Sequence, residues 1–108
     1  MYGTIARFRL KAGAEAKLEE VIKGYDSASI PGMIDEWVYR SDEDPRTHYM
    51  AVLFESKEAY VKNAESPEQD KRYQLFRALL EGDPEWHDGE VTHVHSQMRA
   101  AKRRRAAA

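Results

Sequence analysis

The chain has no cysteine among its 108 residues, which excludes disulfides, thiolate nucleophiles and zinc sites built on sulfur. It also has no long apolar run. Its most apolar stretches, such as "YMAVLF", fall far short of the roughly 20 residues that span a bilayer, so no membrane segment is expected. The opening "MYGTIARFRL" lacks the basic start, apolar core and small-residue cleavage site of a secretory signal, and the expected location is cytoplasmic. Acidic residues are missing beyond Glu90, whereas Arg99, Lys102, Arg103, Arg104 and Arg105 supply five of the 17 basic residues. The body therefore sets twelve basic residues against all 19 acidic ones, a net charge of −7 that argues against a nucleic-acid-binding face on the folded domain. The basic end, residues 97–108, is expected to be a disordered tail. Clustered Lys and Arg could recruit phosphates there.

What is present fits one small domain with a single core, residues 1–96. Residues 2–10 alternate with period two, placing Tyr2, Thr4, Ala6, Phe8 and Leu10 opposite Gly3, Ile5, Arg7 and Arg9, the pattern of a strand. In "AEAKLEEVIKGYDS", Leu18, Val21, Ile22 and Tyr25 recur at helical spacing, with Glu15, Glu19 and Glu20 towards the positive end of the helix dipole. Pro31 and Gly32 break that helix, "MIDEWVYR" is a second strand, and "THYMAVLFES" is a third, the most apolar and hence central. Ser56 caps a short helix, "KEAYVKNA". Ser66, Pro67 and Gln69 form a capping box that starts a longer helix burying Tyr73, Phe76 and Leu80. "EGDPEWHDGE" ends that helix and "EVTHVHS" is expected as the last strand, with His87 and Gly89 in the turn before it.

The order βαββαβ predicts an α+β, ferredoxin-like fold: a four-stranded antiparallel sheet with helices on one face. The other face would leave Ile5 with Met50, Val52 and Phe54, or their alternates, uncovered, and pairing of two chains across it would remedy that.

The segments "PGM", "FESKEAY", "SPEQDKRYQLFRALL" and "EWHDGEV" resemble the antibiotic biosynthesis monooxygenase family of dimeric α+β barrels, over residues 1 to about 95. The resemblance implies a homodimer with a ligand cavity in each subunit between sheet and helices. It also implies oxygenation of a small aromatic or quinol-type substrate without a cofactor; the alternative is a non-catalytic small-ligand-binding or stress-response dimer, or an interaction module using its tail. Haem-degrading relatives place an Asn, a Trp and an axial His where this chain has Ala6, Asn63 and Tyr73, so no haem, and no other cofactor, is expected.

The inward positions Ala6, Phe8 and Phe76 are expected to bind the ligand, with Asn63 and Tyr73 as catalytic candidates. Asn63 would donate an amide hydrogen bond to a developing oxyanion and Tyr73 would donate a proton or act as acid and base. The bland alternatives are a helix-end hydrogen bond for Asn63 and core packing for Tyr73. His93 and His95, on one face of the expected last strand about 6.5 Å apart, could chelate a metal. They lack a spaced third ligand and are read instead as a strand edge, with no metal site. His48 and His87 are expected on the surface. Trp37 and Trp86 are assigned to packing or the dimer seam, and Arg7 to a pair with Glu36 or Glu90.

Overall fold

The computed structural model describes residues 1–98; of the expected tail, residues 99–108 lie outside the described residues. Seven elements follow one another: β1 (Tyr2–Arg9), α1 (Glu15–Ser27), β2 (Met33–Arg40), β3 (Thr47–Phe54), α2 (Lys57–Ala64), α3 (Pro67–Arg77) and β4 (Glu85–Glu90). The strands make one antiparallel sheet in the order β2-β3-β1-β4, the ferredoxin-like arrangement. Among the described residues no helix is long and apolar enough to cross a membrane.

Local chemistry sets the boundaries. The Ser56 hydroxyl accepts the Ala59 amide at 3.1 Å to open α2, and the Ser66 hydroxyl accepts the Gln69 amide at 3.1 Å to open α3, with Pro67 in its first turn. The second half of the expected capping box is not made, because the Gln69 side chain turns to accept a hydrogen bond from Arg72 Nε at 3.2 Å. Gly32 enters β2 at φ +79°, and a Cβ there would stand 2.6 Å from that of Ala59, so α2 packs against a position only glycine can fill.

The last strand lies earlier than the sequence pattern suggests. β4 is "EWHDGE", paired with β1 from Tyr2 opposite Glu90 to Arg7 opposite Glu85, while residues 91–97 have no regular structure. His93 and His95 are thus not on a strand, and His87 and Gly89 are in one rather than in a turn. The alternating β-branched residues of "VTHV" imitate a strand, but the free edge of β1 is already filled by the preceding six residues.

Strand register sorts the side chains. Thr4, Ala6 and Phe8 align with Val52, Met50 and His48, all on the helix-covered side. Met50, Val52 and Phe54 therefore belong to that side, and it is their alternates that stay uncovered: Tyr49, with Ile5, Trp37 and Tyr39, forms an exposed aromatic face on the bare side. Glu36 and Glu90 sit in helix-side rows, away from Arg7, so neither makes the pair expected of them within the chain.

Phe8, Leu10, Ala14, Leu18, Phe76 and Leu80 form the buried core, with Phe8 edge-on to Phe76 at 4.9 Å between ring centroids. His48 belongs here as well. It is 6% exposed and stacks on Phe8 with rings 6° from parallel, so it is a buried aromatic filler and not a surface residue. Backbone bonds lace this end of the sheet, from Leu10 N–H to the Arg46 carbonyl and from Lys11 N–H to the Leu79 carbonyl, each 2.8 Å. Outside them Arg9 bridges Asp44, at 2.8 Å, and Glu81, and Arg46 also binds Glu81. The Arg9 guanidinium, helped by the Thr47 hydroxyl, holds the Asp44 carboxyl down at about 2.

Candidate functional site

Beyond the core, towards the start of β1, the helices stand away from the sheet and leave a cavity of about 380 Å³. Its floor is a single row across all four strands. Register places Glu36 beside Val52, Val52 beside Thr4, and Thr4 beside Asp88. Three strand spacings separate Glu36 from Asp88, about 14 Å between Cα atoms. Met50 and Trp86 extend the floor from the next row. Leu18 and Tyr25 of α1, Tyr60 and Asn63 of α2, and Tyr73 and Phe76 of α3 supply the walls.

Of the residues expected to act, Asn63, Tyr73, Phe8 and Phe76 all line this space. Ala6 does not; it is fully buried between Met50 and Trp86 in the sheet and is not in the lining. The Asn63 backbone carbonyl accepts the Ser66 amide at 3.0 Å, whereas among the described residues its side-chain amide has no hydrogen-bond partner. The helix-end role therefore falls to the main chain, which leaves the amide group to the cavity. Tyr73 packs between Phe76 and Trp86, with ring centroids 6.4 and 6.3 Å away.

The cavity also holds polar groups that the strand pattern concealed. Glu36 faces inward from β2, and burial, followed by the nearby charge of Asp26, raises its pKa. Among the described residues no ion pair or hydrogen bond answers it. Beside it, burial also raises the Tyr25 phenol, partly offset by Gln69 and Arg72, whose guanidinium lies 5.7 Å from the Tyr25 ring centre. On the opposite flank the Tyr60 hydroxyl donates to Asp88 Oδ1 at 2.9 Å, and burial with that anionic neighbour pushes the phenol up to about 12. Between them the Thr4 hydroxyl is buried; it lies near enough to Tyr60 to steady the phenolate slightly, yet no atom among the described residues stands at hydrogen-bonding geometry to it.

Glu36 was legible as a carboxylate in the same period-two row as Val38, an inward position once β2 is placed. Asp88 was hidden by reading "HDGE" as a turn, and Trp86, assigned to packing or the dimer seam, lines the cavity against Tyr73. Among the described residues no three His, Asp or Glu side chains come together in a metal-binding cluster. His87 stands on the bare face opposite Ile5, 3.2 Å from Glu85.

The architecture recurs in known proteins. SnoaB, a cofactor-independent oxygenase from Streptomyces nogalater, matches with a TM-score of 0.74 at 18% identity, over 86% of this chain and 94% of that one. A provisionally assigned antibiotic biosynthesis monooxygenase from Chloroflexus aurantiacus J-10-fl matches at 0.73 and 21% identity, over 88% and 96% of the two chains. A conserved protein from Methanosarcina mazei Go1 matches at 0.73 and 16%, over 82% and 90%. At these identities the likeness is one of fold. No curated protein matches the sequence. Residues 1–74, comprising β1 to most of α3, match the sequence pattern of a known family, and on that match the chain belongs to the antibiotic biosynthesis monooxygenase family.

Proposed function

We propose that the protein is a cofactor-independent oxygenase that oxidises a small aromatic or quinol-type substrate held between its sheet and helices. The observation that carries this reading is the cavity itself: mainly apolar and aromatic walls with a few inward polar groups, among them a carboxyl whose proton affinity burial has raised. Family membership and the likeness to SnoaB agree with it.

Such chemistry needs an electron-rich substrate that is deprotonated and then reduces oxygen itself. For an anthrone-like phenol with an activated ring methylene, Glu36 takes one proton, and the resulting anion passes one electron to O2. The radical and superoxide combine to form a C–O bond. Cleavage of the O–O bond and loss of the second methylene proton release water and leave a ketone, so that CH2 and O2 become C=O and H2O. In this reading Asn63 donates to the developing oxyanion, and Tyr73 orients the ring and exchanges a proton at its hydroxyl.

The same reading makes the protein a homodimer that covers Ile5, Trp37, Tyr39 and Tyr49 of each chain, closing the two sheets into a barrel. Sedimentation equilibrium should give twice the chain mass, and Ile5→Glu should halve it. The activity is tested by oxygen uptake with a panel of hydroquinones and anthrone-like phenols under 18O2. The expected result is one labelled oxygen in the product and one in water, with the rate lowered by Asn63→Ala and Tyr73→Phe. Tight binding of these phenols with no oxygen consumed would replace the enzyme by a ligand-binding dimer.

A further inference from the structure

The oxygenase reading gives no role to the flank of the cavity opposite Glu36. There Thr4 and Asp88 are direct cross-strand neighbours on β1 and β4, with side chains on the same face and Tyr60 reaching over them from α2. Thr4 is 5% exposed, and although its hydroxyl lies close to Tyr60, no atom among the described residues stands at hydrogen-bonding geometry to it. Buried hydroxyls in folded proteins are nearly always satisfied, so an orphan in the wall of a cavity points to a group that arrives from outside. The Tyr60 proton is committed to Oδ1 of the exposed Asp88, whose Oδ2 has no hydrogen-bond partner among the described residues and can accept.

We infer that Thr4, Tyr60 and Asp88 form a subsite for a neutral hydroxyl of the ligand, which donates to Asp88 and accepts from the Thr4 hydroxyl. The donor and acceptor sets match. A ligand carboxylate would face the Asp88 charge, and a methyl group would leave Thr4 unpaired. The Tyr60 bond fixes the carboxylate, since giving up that bond would strand a half-buried phenol. The subsite rests on the proposed function and narrows its substrate class. Because Glu36 lies at the other end of the same row, the hydroxyl bound here is an anchor and not the reacting group. The substrate thus carries an anchoring hydroxyl at one end and its acidic position at the other.

The test is an NMR chemical-shift titration of the full chain with 2-naphthol and with 2-methylnaphthalene, alongside thermal unfolding without ligand. The wild-type protein should prefer the naphthol. Thr4→Val should bind it about fivefold more weakly, the worth of one hydrogen bond, with 2-methylnaphthalene unaffected. Thr4→Ser should keep the preference. With no ligand, Thr4→Val should melt no lower than wild type, because it removes an unpaired buried hydroxyl. Four results would overturn the subsite: no preference in the wild type, equal weakening of both ligands by Thr4→Val, no weakening of either, or a melting point several degrees lower. 2-Naphthol has no oxidisable ring methylene, so binding is read apart from turnover. If the subsite behaves as expected but no anthrone-like phenol consumes oxygen, the oxygenase reading falls and the subsite stands.

Discussion

The two ends of the sheet are built on opposite terms. At the end where β1 runs out, Leu10 and Leu80 are fully buried, backbone bonds tie three loops together, and Arg9, Arg46, Asp44 and Glu81 satisfy one another. At the end where β1 begins, a cavity stands open, and among the described residues the Thr4 hydroxyl has no partner at hydrogen-bonding geometry and the half-buried Glu36 has no partner charge. One end is packed for stability. The other keeps costly features that a purely structural core would have eliminated, and that contrast marks the cavity as the candidate site.

The contrast can be broken most severely by cutting the packed end. Leu80→Ala should destabilise the fold by about 2–5 kcal/mol in urea unfolding, because it leaves a void among residues that cannot collapse. Val52→Ala, on a cavity floor already open, should cost only about 1 kcal/mol, little more than the lost methyl burial. Equal losses would mean the cavity fills in solution.

The two carboxyls should respond to pH with opposite signs. Asp44 has its folded pKa depressed from 3.8 to about 2, so its contribution is complete above pH 4 and disappears as pH falls through about 2. Asp44→Asn should lower the melting point at neutral pH and flatten this acid limb. Glu36 is shifted the other way, so its burial favours the fold at low pH and costs stability as pH rises above its ordinary range near 4.5. Glu36→Gln should therefore leave the melting point at neutral pH unchanged or slightly higher, the smallest effect on stability of the four substitutions. If phenol oxidation is found, the same change should lower kcat by tenfold or more and remove the acid-side limb, the rise in rate with pH as Glu36 loses its proton. A Glu36→Gln protein that melts well below wild type would show that the carboxylate has a structural partner.

Much of this layout was legible. The limits of β2 and α2, the Ser56 and Ser66 caps and the inward row of β1 follow from period and turn chemistry within a few residues of chain. It was the family resemblance, not periodicity, that put Asn63 and Tyr73 with Phe8 and Phe76 around one space, and they do line it. Where the reading failed, the deciding contacts were distant in sequence. Trp86 and Asp88 enter the cavity because the edge of β1 recruits "EWHDGE", a segment with poor intrinsic strand propensity. His48 is buried because it meets Phe8 across the β1–β3 ladder, and nothing adjacent in the chain announces that.

By itself the sequence determined the order of elements, the apolar faces of β1 and the helices and the lack of any cysteine chemistry, because periodicity, caps and composition act over a few residues. Only the tertiary structure decided which six residues close the sheet, that Glu36, Thr4 and Asp88 share one row, and that the Thr4 hydroxyl is left unanswered. Those facts depend on register between strands far apart in the chain, where a shift of one residue would turn every side chain to the other face.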